Sequence, residues 1–156
     1  MSLKIDSSKV TQRDLFLEEI LAVPSFRLQE PHKLNKSHFP STGRQSFLYA
    51  KIDCSNHLDL RRLKAFGFQV IETNVTLKQE VSHEFKIGSD RKERYQIRVA
   101  RSDDREGIEE IARKSFTFDR FHQDPKIGNS VADKIKKQWA GNFFGGKRGD
   151  IAVVAS

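Results

Sequence analysis

The sequence contains very few of the residues that stabilise secreted, metal-binding or membrane proteins. Its one cysteine, Cys54, excludes an intrachain disulfide and a multi-cysteine zinc site. Its 5 histidines never stand four residues apart, which is the spacing of a helical zinc site, so no metal is expected. The densest apolar run is the short segment IAVVA at 151–155. Because a membrane-spanning helix needs about 20 apolar residues, a transmembrane segment is excluded.

Charge and composition narrow the class of protein further. The single cysteine fits a reducing compartment, and the polar N-terminus predicts no secretory signal, so a cytoplasmic location is expected. Lysine and arginine total 28 against 21 acidic residues, which gives a formal net charge of +7. This positive charge is spread evenly along the chain, whereas nucleic-acid-binding proteins usually concentrate it in a stripe. The 12 phenylalanines are expected to supply the main filling of a globular core.

The first part of the chain has the pattern of a small α/β domain. Thr11 and Asp14 form a capping pair that predicts a helix, and Pro24 ends its apolar repeat. Downstream, runs of aromatic and aliphatic residues flank one helical pattern, which predicts strand, helix and strand. The predicted strands are 25–29, 46–53 and 68–78, and the helix is 57–66, with Ser55 or Asn56 as its cap and Gly67 at its end.

A charged, aperiodic stretch at 79–94 then interrupts these patterns. We therefore predict two domains, residues 1–84 and 95–156, joined by a linker at 85–94. The second domain is predicted to run strand, helix, loop, helix, strand, so the fold class of the whole chain is α/β. Its elements are a strand at 95–100, a helix begun by Asp103 and Glu106, a loop at 117–129, a helix begun by Ser130 and Asp133 and stopped by Gly145, and a strand at 151–156.

The loop segment at 119–128 is the most unusual part of the sequence. Its sequence, DRFHQDPKIG, mixes basic, acidic and aromatic side chains between two helices, as functional loops often do. The simpler interpretation is a solvated connection that its phenylalanines anchor. Trp139, on the following helix, is either a ligand platform or a core residue. The candidate substrate-binding residues are Arg120, Phe121, His122, Asp124 and Trp139.

Two other segments have both a chemical and a structural interpretation. The glycine-rich segment GGKRG at 145–149 offers backbone N–H groups to a phosphate, but it lacks the Walker spacing and no helix follows it. A turn between a helix and a strand is the favoured interpretation. Cys54 has no base beside it in the sequence, which favours a small packed residue over a nucleophile.

Several segments of the chain carry a family resemblance. The stretches YQIRVARSDDREGIEEIARKSF, RFHQDPKI and KIKKQWAGNFFGGKRGDIAVVAS follow one another between residues 95 and 156. In this order they resemble the first half of a GNAT-type N-acetyltransferase domain. Upstream, YAKIDCSNHLDLRRLKAFGFQVIETNVTLKQEV at 49–81 resembles the small N-terminal domain of dTDP-fucosamine acetyltransferases and related amino-sugar acetyltransferases.

The resemblance implies a small α/β domain followed by the opening β-α-α-β half of a GNAT fold. It also implies transfer of an acetyl group from acetyl-CoA to a primary amine on an amino-sugar nucleotide. Arg120 and His122 would then meet a diphosphate or sugar hydroxyls, and Phe121 and Trp139 would form an apolar wall. The expected partner is this small molecule, with no membrane involved. The alternative is a non-catalytic binding or regulatory module, for which nucleic acid would be the ligand.

The chain departs from the family pattern in its cofactor loop. The family holds acetyl-CoA on a Q/R-x-x-G-x-G/A loop at a helix N-terminus, and that spacing does not occur in these 156 residues. Tyr49 and Tyr95 lie in the wrong regions for the family's general acid, so no catalytic residue is assigned. We therefore expect a shortened form or a natural remnant that is inactive alone. The apolar strand 151–156 is expected to be covered on both faces, to lack a normal neighbour and to mediate self-association.

Overall fold

A computed structural model describes residues 10–38, 45–78, 80 and 95–155. The chain divides into two compact units, Met1–Val70 and Ile71–Ser156, each containing helices and a small sheet. This mixture of elements confirms the predicted α/β class. The predicted linker at 85–94 lies outside the described residues, so the predicted domain limits stay a prediction. None of the helices within the described ranges has the length and apolar character that a bilayer crossing requires.

The first unit contains a three-stranded sheet in the order β1–β2–β3. The strands are β1 (Thr11–Arg13), β2 (Ser25–Leu28) and β3 (Phe47–Ala50). β1 runs antiparallel to β2, with Thr11 opposite Leu28, and β2 runs parallel to β3, with Ser25 opposite Phe47. The strands expected at 25–29 and 46–53 are therefore confirmed, although the paired part of each strand is shorter than the predicted range.

Helix α1 (Leu15–Leu21) begins later than its sequence pattern predicts. Its N-cap is Asp14, whose Oδ1 accepts a hydrogen bond of 3.0 Å from the backbone N–H of Leu17. The other carboxylate oxygen accepts 2.8 Å from the hydroxyl of Tyr49 on β3, which fixes the helix start against the sheet. The predicted start at Thr11 is wrong because that residue pairs with β2 instead.

Helix α2 (His57–Ala65) has the boundaries that its local signals predict. Asn56 is the cap, since its Oδ1 accepts a 3.1 Å bond from the N–H of Asp59. Gly67 follows with a φ of 86°, a left-handed conformation that glycine adopts without strain. The helix contributes Leu63 to the core of this unit, where it meets Val10, Leu28 and Leu34.

The strand predicted at 68–78 is wrong, since these residues form no regular secondary structure. The alternation of apolar and polar residues is present, but a strand also needs a partner to pair with. The apolar positions are left in solvent instead, with Val75 79% and Leu77 90% exposed. The predicted strand–helix–strand unit is therefore only a strand, β3, and a helix, α2.

The second unit places three helices between two paired strands. β4 (Ile97–Val99) runs antiparallel to β5 (Val153–Ala155), with Val99 opposite Val153. The intervening helices are α3 (Arg105–Ser115), α4 (Arg120–Gln123) and α5 (Asn129–Gly141). α3 packs along α5, and a side chain at Gly141 would collide with the carboxylate of Glu109 on α3. The carboxylate of Glu109 therefore occupies the space that a side chain at Gly141 would take.

Both capping pairs predicted for this unit are wrong. A single 3₁₀ turn precedes α3, and Asp104 rather than Asp103 accepts the 2.7 Å bond from the N–H of Arg101. Helix α5 starts at Asn129, behind Gly128, which has no side chain to cap it. Asp133 therefore lies one turn inside the helix, where its carboxylate is available to other partners. The predicted loop at 117–129 also contains an unpredicted helical turn, α4.

The last strand is more exposed than expected. We predicted coverage on both faces for 151–156, yet Ile151 is 71% and Val153 61% exposed. That prediction is wrong because β5 belongs to a sheet of two strands, which cannot bury both of its faces. Strand β5 does have a neighbour, β4, along one edge. Among the described residues no strand pairs with its other edge.

Candidate functional site

The segment between α3 and α5 is held by local hydrogen bonds at both of its ends. Asp119 caps the single turn of α4, because its Oδ1 accepts a 2.8 Å bond from the N–H of Phe121. After the turn, Asp124 accepts 2.9 Å from the N–H of Lys126 with its side chain and 3.0 Å from the N–H of Ile127 with its carbonyl. The candidate loop is therefore an ordered turn with fixed side-chain directions.

His122 lies between two carboxylates. Its Nδ1 is 2.7 Å from Oδ2 of Asp119, and its Nε2 is 3.0 Å from Oδ1 of Asp133 on α5. The side chain is only 5% exposed. Since ionised carboxylates only accept hydrogen bonds, both ring nitrogens must carry a proton to satisfy this geometry. Burial lowers the pKa of His122, but the hydrogen bonds that its ring donates to Asp133 and Asp119 prevail and raise the pKa above its ordinary value.

Two further cations complete what we call the His122 network: Arg113, Asp119, His122, Asp133 and Lys136. The buried Lys136 places its Nζ 3.3 Å from Oδ2 of Asp119. Arg113, on α3, places one nitrogen 3.3 Å from Oδ2 of Asp133. Burial opposes ionisation of Asp119, yet its bonds to Phe121, His122 and Lys136 lower its pKa. The network thus joins α3, α4 and α5 through alternating charges.

Aromatic rings and cations form a second cluster, and we call Arg120, Phe121, Trp139 and Arg148 the Trp139 cluster. Lys136 of the His122 network borders it, with its Nζ 5.5 Å from the Phe121 centroid and 5.3 Å from that of Trp139. Phe121 is buried and packs edge-on against Trp139, with ring centroids 6.0 Å apart. The guanidinium of Arg120 lies 4.6 Å from the Phe121 centroid and 6.0 Å from that of Trp139. Arg148 contacts Trp139 more closely, at 4.2 Å. Cations and aromatic rings are therefore in cation–π contact here.

The structure brings some of the predicted site residues together and separates others. Arg120, Phe121 and Trp139 form one cluster, as a shared ligand surface requires. His122 is in the same turn, but both of its ring nitrogens are occupied by carboxylates. Asp124 follows the turn, half-buried, with its carboxylate engaged by a backbone N–H. That these residues contact a substrate remains a prediction. The geometry places His122 and Phe121 where they support the turn.

Sequence reasoning missed five residues of this region: Glu72, Asp119, Asp133, Lys136 and Arg148. Glu72 belongs to it because its Oε2 accepts a 2.7 Å bond from the backbone N–H of Arg120. The three-residue spacing of Asp119 and His122 within one helical turn is a signal that could have paired them. No such signal connects His122 to Asp133, which lies 11 residues further along the chain. Arg148 reaches Trp139 only because of the turn that follows α5.

The glycine turn at 145–149 is not a phosphate cradle in this structure. The N–H of Gly146 donates 3.0 Å to the carbonyl of Phe143, and that of Lys147 donates 3.0 Å to Asn142. Gly146 and Gly149 have φ values of 66° and 72°, the left-handed conformation that turns require. The two backbone donors are therefore used within the turn itself, which fits the interpretation as a helix-to-strand connection. This segment does not match the set of backbone donors that is expected around the pyrophosphate of acetyl-CoA.

Other chemical groups in the described residues serve local structure. Cys54 is exposed and forms no disulfide, so the interpretation of it as a packed residue is wrong. A shallow surface depression in the first unit is lined by His32, Asn56, Leu58, Asp59 and Arg62. In it, Asn56 caps α2, and Arg62 donates 2.9 Å to the carbonyl of Leu34. No group of three metal-ligating side chains occurs within the part of the chain that the structure describes.

Comparison of the chain with protein-family models, with curated proteins and with solved structures finds no significant match.

Proposed function

We propose that the second unit is the acceptor-binding, opening half of a GNAT-type N-acetyltransferase domain, acting on the primary amine of an amino-sugar nucleotide. The observation that carries this proposal is the order of its elements: strand β4, helix α3, an ordered turn, helix α5 and strand β5. This is the order that the sequence resemblance implies for the first half of that domain. A side-chain cluster at the turn, where the acceptor is expected, adds chemical support.

The acceptor side of the proposed site is built on Arg120 and Trp139. A guanidinium offers planar pairs of N–H donors that match phosphate oxygens and sugar hydroxyls. The indole offers an apolar wall beside it, 6.0 Å from that guanidinium. Asp124, at the end of α4, supplies a carboxylate whose position is fixed by the N–H of Lys126.

Phe121 and His122 act in this proposal as positioning residues. A helix of four residues has little stability of its own, because the cost of forming the first turn is barely recovered. α4 is therefore held by the buried ring of Phe121 on one side and by the two carboxylates around His122 on the other. Both side chains anchor the turn that begins with Arg120, and the backbone N–H of Arg120 itself donates 2.7 Å to Oε2 of Glu72.

The cofactor side is assigned no residue of this chain. In the glycine turn, the N–H groups of Gly146 and Lys147 are already used by carbonyls of the preceding residues. We therefore derive no step of acetyl transfer from these residues. The proposal concerns recognition of the amine-bearing substrate.

Acceptor binding tests the proposal directly. A calorimetric titration of the protein with a TDP-linked amino sugar should show saturable binding, and Arg120→Ala should weaken it about 10- to 150-fold, the loss of one hydrogen bond to a charged group. Lys134→Ala is the matched control, because it removes an exposed cation from the outside of α5. Failure of the wild-type protein to bind the sugar nucleotide would contradict the proposal.

The same preparation decides against the alternative of a nucleic-acid-binding module. Binding of a short single-stranded oligonucleotide should be weak and should not depend on Arg120. Tight oligonucleotide binding that falls steeply as salt rises would instead favour the alternative, since phosphate-dominated binding releases counterions.

A further inference from the structure

The ammonium group of Lys136 lies among three aromatic rings. Its Nζ is 4.9 Å from the centroid of Phe116, 5.5 Å from that of Phe121 and 5.3 Å from that of Trp139. The residue is only 8% exposed, so these contacts are largely shielded from water. Cation–π attraction is stronger where water is excluded, and the indole is the ring that attracts a cation best. The position of this ammonium therefore helps to fix the environment of Trp139.

The same ammonium shares one carboxylate oxygen with His122. Oδ2 of Asp119 lies 2.7 Å from Nδ1 of His122 and 3.3 Å from Nζ of Lys136. None of these three side chains is more than 14% exposed. Two cations that meet at one oxygen compete for it and repel each other, and solvent screens such forces only weakly between buried groups. The pull of this oxygen on Lys136 thus depends on whether His122 is charged.

The other charged groups that face His122 come from α5 and α3. Asp133 accepts from its Nε2 at 3.0 Å, and Arg113 lies 3.3 Å from the second oxygen of that carboxylate. Glu110 in turn pairs with Arg113 at 2.7 Å. Carboxylates and guanidiniums keep their charge between about pH 6 and about pH 9, whereas an imidazole ordinarily titrates there. His122, the only histidine among the described residues of the second unit, is therefore the group whose charge changes.

We infer that Lys136 transmits the protonation state of His122 to the Trp139 cluster, which makes this cluster a pH-sensitive element of the fold. When His122 is charged, the ammonium of Lys136 is shared between the rings and a carboxylate that already has a cation beside it. When the ring nitrogen gives its proton to solvent, Asp119 keeps its negative charge and loses the charge of that competitor. The ammonium then moves toward Oδ2 and away from the indole. This coupling involves groups of this chain alone, so it does not rest on the proposed function.

Trp139 reports on this movement, because it is the only tryptophan of the chain. Its emission is recorded for the intact protein from about pH 6 to about pH 9 at constant ionic strength. The wild-type emission should change in one step, with a midpoint above the ordinary histidine value of about 6.5. His122→Gln should give a flat profile. Lys137→Met, which removes the exposed neighbouring ammonium on α5, should titrate as the wild type does.

The variant Lys136→Met tests whether the ammonium carries the signal. Methionine keeps an unbranched, apolar side chain among the rings and removes the charge. Its emission should differ from that of the wild type at about pH 6, and most of the step should be lost. Its Tm should still fall as the pH rises, since His122 still faces two carboxylates. Loss of the emission step with a retained pH dependence of the Tm would assign the coupling to Lys136.

A measurement on the wild type covers the case in which Lys136→Met does not fold. In protein labelled with carbon-13 at the lysine ε-carbons, the NMR signal that is absent from Lys136→Arg belongs to Lys136. It should move with the same midpoint as the ring protons of His122. A lysine signal that stays fixed while His122 titrates would overturn the inference. So would a wild-type emission that does not change in this range, or a step of unchanged size in folded Lys136→Met.

Discussion

Deprotonation of His122 should weaken the second unit as the pH rises from about 6 to about 9. The folded protein requires a proton on both ring nitrogens, because each faces a carboxylate, at 2.7 Å and 3.0 Å. Burial works against the charged ring, but the bonds to Asp133 and Asp119 raise the pKa of His122 above its ordinary value near 6.5. A raised pKa means that the folded state binds the proton more tightly than the unfolded chain does.

The sign of the effect follows from that linkage. The stabilisation is fully present below the unfolded pKa of about 6.5 and is lost as the pH rises through the higher pKa of the folded state. A neutral imidazole donates only one hydrogen bond, so one of the two carboxylates loses its bond from His122. A hydrogen bond to a charged group contributes about 1.5–3 kcal/mol, and this is the expected loss. For a unit of this size, each kcal/mol lowers the Tm by roughly 4–8 °C.

Thermal unfolding followed by tryptophan emission is the suitable assay, because the only tryptophan lies in the second unit. The Tm of the wild type should fall between about pH 6 and about pH 9, where other carboxylates and lysines scarcely titrate. His122→Gln should have a lower Tm at about pH 6 and should be nearly independent of pH over this range. His57→Gln, an exposed position of the first unit, should follow the wild type. Parallel curves for the wild type and His122→Gln would refute the reasoning.

Three other substitutions test separate parts of the fold. Asp14→Ala removes the cap of α1 and should cost about 0.5–2 kcal/mol in urea unfolding, whereas Tyr49→Phe, which removes only the 2.8 Å bond to that carboxylate, should cost less. Phe121→Ala empties a buried position and should cost about 3–5 kcal/mol, against at most about 0.5 kcal/mol for Phe118→Ala at an 87% exposed position. Val153→Lys should reduce self-association through β5 in light scattering, and a monomeric wild type would contradict that expectation.

Local signals predicted the elements that local interactions stabilise. Helix α2 begins after its predicted cap, Asn56, and ends before Gly67, because both residues act on their neighbours in the sequence. Helix α1 does not follow Thr11, since that residue pairs with β2, which lies beyond the helix in the chain. The alternation at 68–78 fails for the related reason that its periodicity carries no information about a partner strand. In the first case a tertiary contact prevails over a local pattern, and in the second the tertiary contact that the pattern needs is missing.

The candidate site shows the same division. The residues of α4 could be chosen from composition, because a mixture of arginine, phenylalanine and histidine between helices is conspicuous. The roles of these residues could not be predicted, because the roles depend on groups from other elements. His122 has the chemistry of a ligand contact in the sequence, yet Asp133 from α5 occupies its second nitrogen. Arg148 lies in a turn, as the sequence predicts, and that turn brings its guanidinium into contact with Trp139.

The His122 network and the Trp139 cluster are linked through the single turn of α4 and through Lys136, whose Nζ lies 3.3 Å from Oδ2 of Asp119 and 5.3 Å from the Trp139 centroid. Arg120 precedes Phe121 and His122, which are the two anchors of that turn, and a four-residue helix cannot hold its position without them. A change in the protonation of His122 therefore acts on Arg120 through the backbone, whereas Arg148 is held by its own turn and by the indole. Of the two guanidiniums that meet at Trp139, only the one on α4 should shift when the network loses its proton. Any ligand that contacts Arg120 should then bind more weakly at high pH.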